Sequence, residues 1–367
     1  MARVTIAAIA REAGVSVPTV SRVLNGRADV APQTRELVEN LLKEHGYRRR
    51  ASRQQTGKAA LVDLVFNDLD SPWAVELIRG VEDVMHAAGV GTVVSAVHRR
   101  STATRQWLQN LYARQSDGVI FVTSDLNTPV YAELQRLNIP VVVIDPAGGA
   151  PMDIPTIGAT NWAGGLSATQ HLTALGHRRI GFIAGPKNLI CSRARLDGYR
   201  TGLETVDESL IRQGDFLYES GFAGGRSLLD LPDPPTAIFA SSDTMALGVY
   251  EAARHRGLRV PDDLSVIGFD DLPEARWASP PLTTVRQPLA EMGGLAARTA
   301  LRMAQGDDIE TPRVELATEL VVRDSTAPRA PRPRSPEPGH PGGNQSTMRG
   351  AVLAASFSAA AAPEYGL

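Results

Sequence analysis

The chain has 367 residues, 43% of them hydrophobic and 21% charged, which indicates soluble globular material for two or three domains. No run of about 18 apolar residues is present, which excludes a transmembrane helix, and Ile6–Ala10 is followed at once by Arg11 and Glu12, unlike an export signal. The net charge of −2 hides an asymmetry: residues 1–58 carry 11 Lys/Arg against 5 Asp/Glu, and the remainder carries 27 against 35. A basic head on an acidic body suits a small phosphate-binding module joined to a body that does not bind nucleic acid. The single cysteine, Cys191, cannot form an internal disulfide and is expected as a packed small side chain in a reducing cytoplasm.

Three helices are expected in residues 1–46. Thr5 caps Ile6–Ala13, Gly14 ends it, Ser16 caps Val17–Leu24, and Asn25-Gly26 ends that helix. Pro18 falls in the first turn, where a missing N–H costs little. The third helix runs from Pro32 to His45 with Leu37, Leu41 and Leu42 as its apolar stripe, and Ile6, Ile9, Ala10, Val20, Val23 and Leu24 supply the rest of a small core. Two short helices around a tight turn form a helix-turn-helix, whose second helix enters the major groove of DNA. Residues 47–58, YRRRASRQQTGK, lack apolar spacing and read as a basic connector.

From Ala59 strands and helices alternate. The strands are Leu61–Leu69, Gly91–Ala96, Gly118–Val122 and Val141–Ile144, with helices Trp73–Ala88, Thr102–Ala113 and Val130–Leu137 between them. A second series follows Asn161: helix Trp162–Leu175, strand Ile180–Ala184, helices Arg193–Leu203 and Gly224–Leu229, strand Ala237–Ala240, helix Thr244–Arg256 and strand Leu264–Phe269. A long helix, Leu289–Ala304, and two short strands, Val314–Ala317 and Leu320–Val322, close it. The fold class is therefore multidomain: an all-α helix-turn-helix head, then two α/β subdomains with parallel sheets and a cleft between them. The expected boundaries are 1–46 for the head, 47–58 for a hinge connector and 59–324 for an effector-binding and dimerisation domain. Within that domain the N-subdomain takes about 59–157 and 287–315, and the C-subdomain about 158–286 and 316–324. Six of the fourteen residues from Pro328 to Pro341 are proline, so 325–367 is expected as a disordered Pro/Ala-rich tail.

The run VTIAAIAREAGVSVPTVSRVLNG, then VAPQTRELVENLLKEHGYR, resembles the head of the lac-repressor family of bacterial transcriptional regulators, and the resemblance continues to about Asp324. By its chemistry Arg22 can donate two hydrogen bonds to guanine O6 and N7, and the resemblance places a base-reading arginine there. The resemblance makes Val17 and Pro18 operator-choosing positions; having no hydrogen-bonding side chain, they would read thymine methyls or groove shape. Thr5, Thr19, Ser21, Asn25 and Thr34 suit phosphates, and Ser16 combines a cap with the same surface. Family members carry a Pro-Asn pair after the tyrosine and a leucine that wedges into the minor groove. Here Arg49 and Arg50 follow Tyr47-Arg48, and Gln54-Gln55-Thr56 stand where the leucine belongs. Arg49, Arg50 and Arg53 are then candidates for phosphates or a narrow minor groove, against the plainer reading of a solvated basic linker.

In open α/β sheets ligands sit at the carboxyl ends of strands, where this chain places Asp68, Asp70, Asp145, Ser242, Asp243, Asp270 and Asp271. Converging carboxylates and a guanidinium suit the vicinal hydroxyls of a polyol. The body resembles periplasmic sugar-binding proteins, which implies effector-binding roles for Arg195 in SRARLDGY, Asp270 in VIGFDD, Asp70 and Trp73 in DSPWAVELIRGVE, and for Asp145, Ser242 and Gln287. Phe216 in GDF is the expected stacking aromatic, with Trp277 another. Trp73 also fits a core position, and Asp243 and Asp271 fit helix caps.

No P-loop, G-x-G-x-x-G, nucleophile elbow or H-E-x-x-H is present, and the seven histidines lack metal-ligand spacing, so no catalytic residue, metal or cofactor is expected. The resemblance implies a homodimer on double-stranded palindromic operator DNA, no membrane partner, and repression released by a mono- or oligosaccharide. The alternatives are a corepressor-dependent regulator answering a purine or other small metabolite, and a sugar-binding protein without DNA function.

Overall fold

Three short helices build the head: α1 (Ile6–Glu12), α2 (Val17–Leu24) and α3 (Pro32–Glu44). The computed structural model describes residues 5–24, 30–45, 60–97, 101–123, 128–148, 154–309 and 312–329. Thr5 caps α1 by accepting a hydrogen bond from the Ala8 N–H at 3.2 Å, and Ser16 caps α2 by accepting from the Thr19 N–H at 3.3 Å. Gly14, at φ +66°, makes the left-handed turn between them without the steric cost a side chain would carry. Ile9, Ala10, Ala13, Val20, Val23, Val38 and Leu42 are buried together. The third helix thus offers Val38 and Leu42, with Leu41 alongside, and not the expected Leu37, which is 47% exposed. Leu37 lies one residue off the i, i+4 stripe that Val38 and Leu42 define.

The body contains two six-stranded sheets. In chain order the first lobe has β1 (Leu61–Phe66), α4 (Pro72–Ala87), β2 (Gly91–Ala96), α5 (Ser101–Arg114), β3 (Gly118–Val122), α6 (Thr128–Arg136), β4 (Val141–Ile144) and β5 (Thr156–Ala159). The second has α7 (Asn161–Ala174), β6 (Ile180–Ala184), α8 (Ile190–Thr201), β7 (Ile211–Gln213), α9 (Tyr218–Leu229), β8 (Ala237–Ala240), α10 (Asp243–His255), β9 (Ser265–Asp270), α11 (Pro273–Trp277) and β10 (Thr283–Arg286). Then α12 (Leu289–Gln305) and β11 (Arg313–Leu316) return to the first lobe, and β12 (Glu319–Val321) to the second. The strand orders are β11-β5-β4-β3-β1-β2 and β12-β10-β9-β8-β6-β7. Every pairing is parallel except β10 with β12. Three crossovers join the lobes, and two are tied together: the Thr318 N–H donates to Thr160 Oγ1 at 2.9 Å.

Both faces of each sheet are covered, as continuous apolar strands require. Leu64, Phe66, Ile120 and Ile144 pack under α4 and α12; Val65, Phe121 and Val143 pack with Trp107 and Leu111 of α5 and Leu134 of α6. Phe182, Phe239 and Phe269 meet α7 and α8, while Ile183, Ile238 and Val266 meet α9 and α10. Buried Asp63 is the polar exception in β1, and Trp107 Nε1, Arg114 Nη2 and Ser116 Oγ all donate to it. The crossing of α7 and α8 is unusually close: a Cβ on Gly165 would lie 2.4 Å from the Arg195 carbonyl oxygen.

Several expected elements need correction. The first strand stops at Phe66, because Asn67 turns to donate to the Thr123 carbonyl and Leu69 is exposed. Short β5, β7, α11 and β10 escaped the periodicity, which has little to register in three to five residues. Helix α9 begins at Tyr218, ahead of the expected Gly224. Its Gly221 and Gly225, which argue against a helix by propensity, are where α10 packs against it. Residues 325–329 belong to the body rather than to a tail. Ser325 is fully buried, donating to the Val266 carbonyl and accepting from the Thr283 N–H, and His177 Nε2 lies 3.1 Å from the Ala327 carbonyl. The connector 47–58 and the segment from Ala330 onward lie outside the described residues.

Candidate functional site

On α2, Val20 and Val23 face the core, so Pro18, Ser21 and Arg22 fall on the opposite side, with Val17 at its edge. Val17, Pro18 and Arg22 are exposed there, and Thr19 and Ser21 are half-buried. Ser16 Oγ lies 2.8 Å from Thr19 Oγ1, so the cap and the first turn share one hydroxyl pair. Thr5 is exposed and Thr34 half-buried, each in the first turn of its helix, where N–H groups favour phosphate. Of the expected DNA-reading residues, Asn25, Arg49, Arg50 and Arg53 lie outside the described residues.

The second site assembles where the lobes meet. Arg195, on α8 and 3% exposed, is fixed on several sides. Its Nε donates to Asn161 Oδ1 at 2.8 Å and its Nη1 to the Ser241 carbonyl at 2.6 Å. Its Nη1 also lies 3.5 Å from Asp270 Oδ1. The guanidinium lies 3.8 Å from the Phe269 ring centroid and 5.4 Å from that of Phe216. Gln287, on a crossover, donates from Nε2 to Asp270 Oδ1 at 2.6 Å. Two polar atoms here are buried without a partner, Gln287 Oε1 and Ser241 Oγ. Orphaned atoms in a fully desolvated polar cluster are what a hydroxylated ligand would satisfy. The backbone is strained at the same place: Asp145, Phe216, Asp270 and Asp271 all have positive φ, at +44°, +73°, +118° and +55°.

Burial dominates the electrostatics. It pushes the Asp270 carboxyl above the ordinary range, against the opposing pull of Arg195 and of the Gln287 amide. Asp243 is raised as well, by burial first and then by the charge of Asp270. Asp145 ends β4, is 6% exposed, and is raised from 3.8 to about 6 by burial despite Arg195. The folded chain therefore holds a proton that the unfolded chain releases. The stability this contributes is complete below about pH 4 and is lost as pH rises through about 6. Asp145→Asn is expected to unfold at higher temperature than wild type at pH 7.5, by up to about 3 kcal/mol of stability, with the gain gone at pH 4. Thermal unfolding at the two pH values checks this, and an equal gain at both would contradict it.

The structure thus brings Asp145, Arg195, Phe216, Asp270 and Gln287 together. Ser242 adjoins them, but its hydroxyl donates to the Phe216 carbonyl and accepts from the Met245 N–H as the cap of α10. Asp70 stands exposed before α4, and Trp73 packs into the first-lobe core; neither is brought onto the Arg195–Asp270 group. Trp277 is 76% exposed. Asp243 is structural, accepting from the Leu272 N–H and from Thr284 Oγ1, and Asp271 holds Arg286 and Arg323. Burial pushes the Cys191 thiol up to about 12, which keeps it protonated, a packed side chain. Sequence reasoning missed Asn161, Ser241 and Phe269, which position or underlie Arg195. Asn161 had one signal available, its place at a strand-to-helix junction.

A basic helix-turn-helix ahead of two α/β lobes that enclose a buried Asp–Arg–Asp group is the build of a ligand-responsive DNA-binding regulator. Comparison with known proteins makes the class specific. Residues 5–50 match the bacterial regulatory proteins of the lacI family, and residues 169–326 match the periplasmic binding protein-like domain. The regulator DegA of Bacillus subtilis (strain 168) is 37% identical over 336 residues, 89% of this chain and 99% of that one. CelR of Thermobifida fusca is 36% identical over 340 residues, 88% and 98% of the two chains. Among solved structures, the CelR–cellobiose complex superposes with a TM-score of 0.67 at 35% identity, covering 88% of this chain and all of that one. The lac repressor dimer bound to operator and the anti-inducer ONPF gives 0.65 at 30% identity, covering 89% and 100%. The chain belongs to the lacI family and is a DNA-binding transcriptional regulator.

Proposed function

We propose that this regulator is a cytoplasmic homodimeric repressor of carbohydrate-utilisation genes, released from a pseudo-palindromic operator by a neutral sugar. It has no catalytic step of its own in this reading. The observation that carries it is the Arg195–Asp270–Gln287 group, buried with two orphaned polar atoms at the lobe junction. A polyol offers donors and acceptors in pairs, which match a carboxylate, a guanidinium and an amide oxygen together. The relatives fit: one is crystallised with cellobiose, and another is named a ribose operon repressor. Described helices include none long and apolar enough to cross a membrane.

Coupling follows from the crossovers. Gln287 sits on one of them and bonds to Asp270, so a ligand that engages this pair acts on the segment joining the lobes. A ligand that binds one lobe arrangement better shifts the population toward it, and the two heads move accordingly. A gel-shift or fluorescence-anisotropy assay on DNA upstream of the chain's own gene, with sugars titrated in, tests this. Release by a sugar supports it. Tighter operator binding with a purine and indifference to sugars would overturn it in favour of corepression.

A further inference from the structure

The junction of the lobes buries more carboxylate than cation. Asp145 follows β4 in the first lobe and is 6% exposed; Asp270 ends β9 in the second and is 5% exposed. Both lie in the field of one buried guanidinium, that of Arg195, and they repel each other. The other ionisable groups around them do not balance this charge. Asp243 is buried too, feels Asp270, and already accepts from the Leu272 N–H and Thr284 Oγ1. Asp271 is taken up by Arg286 and Arg323. On β11, Glu315 adds a further negative charge beside Asp145, and it and Arg313 are both exposed. The Cys191 thiol facing Asp145 stays protonated. Two buried carboxylates against one buried cation leave a negative charge unpaired, and a low-dielectric site answers that with a proton.

Asp145 is the carboxylate whose burial depends on how the lobes sit. It lines a cavity of about 400 Å³ with walls from both: Gly158 and Glu315 from the first lobe, Trp162, Cys191 and Ala194 from the second. Two residues further on, Ala147 packs with Leu189, Cys191 and Phe216 of the second lobe, which closes the junction beside it. Among the described residues, Arg195 is the group that draws Asp145 toward its ionised form, and it stands on α8, across the junction. Parting the lobes therefore does two things to Asp145. It takes the guanidinium away, and it admits water on the side that α7 and α8 now cover. Burial outweighs Arg195 in the arrangement of this structure, so hydration is the larger change and the parted arrangement is the one that ionises more readily.

We propose that Asp145 makes the lobe junction a proton-linked switch: the closed arrangement holds a proton on this carboxyl, parting the lobes releases it, and operator affinity follows. The proton then acts as any ligand that prefers one of two arrangements. The inference rests on the coupling of lobes to operator proposed above and needs no sugar. Its sign follows from the raised carboxyl, at about 6 in the closed arrangement against an ordinary value of 3.8. The proton favours closure increasingly as pH falls from about 6 to about 4 and contributes little above about 7. From pH 7.5 to pH 5.0 the balance moves toward closure by about tenfold. Fluorescence anisotropy of the full chain without sugar, at pH 5.0, 6.0 and 7.5 on operator and on scrambled DNA, tests this. The wild-type ratio of the two affinities is expected to change by about three- to tenfold over the range. Asp145→Asn is uncharged at every pH and suits the positive φ of this position. Its ratio is expected to be flat and to lie at the wild-type value for pH 5.0, because it mimics the protonated carboxyl. Asp145→Ala, also uncharged, should be flat as well and decides the matter if the asparagine variant fails to fold. A wild-type ratio independent of pH, or a slope that the variants keep, would overturn the switch. If a sugar still released operator in that case, the coupling of lobes to operator would stand and the proton's part in it would fall; if none did, both would fall.

Discussion

Replacing Arg22 by alanine is expected to remove operator selectivity while leaving sugar binding and non-specific DNA affinity in place. Val20 and Val23 anchor α2 in the head's core, so truncating the exposed Arg22 leaves that core packed. A bidentate arginine–guanine contact is worth about 1–3 kcal/mol of discrimination. A dimer on a two-fold operator makes it twice, so preference for operator over scrambled DNA should fall by about 2–6 kcal/mol, about thirtyfold at least. Affinity for scrambled DNA and its salt dependence should change little, because those reflect phosphate contacts. Fluorescence anisotropy with both DNAs over a range of salt separates the two effects. Selectivity equal to wild type would show that Arg22 does not read a base. Val17 and Pro18 offer no hydrogen bond to replace it, so the loss should be large.

The extent to which this site could be read from sequence follows from how far each signal acts. The caps Ser16 and Thr5, and the exposed place of Arg22 on α2, were legible because caps and helix faces are decided within a few residues. Strands β2, β3, β4, β6 and β8 were legible end to end, being apolar runs bounded by turns. Asp145, Arg195, Asp270 and Gln287 were located by strand ends and by resemblance, but their contacts were not. Asn161 holds Arg195 across 34 residues of sequence, and Phe269 supports it from another strand. Nothing local marks either. Ser242 shows a local role beside the expected one: its hydroxyl caps α10, donating to the Phe216 carbonyl and accepting from the Met245 N–H, which leaves one lone pair to accept from a ligand. The glycines of α9 misled, since propensity sees a broken helix where tertiary packing needs a bare backbone.

Replacing Asp270 by alanine is expected to abolish the effector response while leaving operator binding without sugar within about threefold of wild type. Asp270 Oδ1 is the common acceptor for Gln287 and Arg195, so it links the crossover to the cation that α8 supplies. A carboxylate gripping two hydroxyls contributes hydrogen bonds of about 1.5–3 kcal/mol each, so its loss should weaken a sugar by about a hundredfold or more. The variant also leaves Arg195 buried without its carboxylate and frees the Gln287 amide, which lowers the stability of the body by up to about 3–5 kcal/mol. Asp270→Asn separates these effects. It keeps the volume and an acceptor for Gln287 but not the charge, so it should retain more stability than alanine and still respond poorly to sugar. Thermal unfolding together with sugar titrations of the operator complex reads both quantities. If alanine lost stability but released operator at wild-type sugar concentrations, Asp270 would be a structural carboxylate and the ligand would engage Arg195 without it. If both variants bound operator and ignored sugar, the ligand and the crossover would share one atom, Asp270 Oδ1. The distance from pocket to head would then be bridged by rearranging a single buried hydrogen-bonded group.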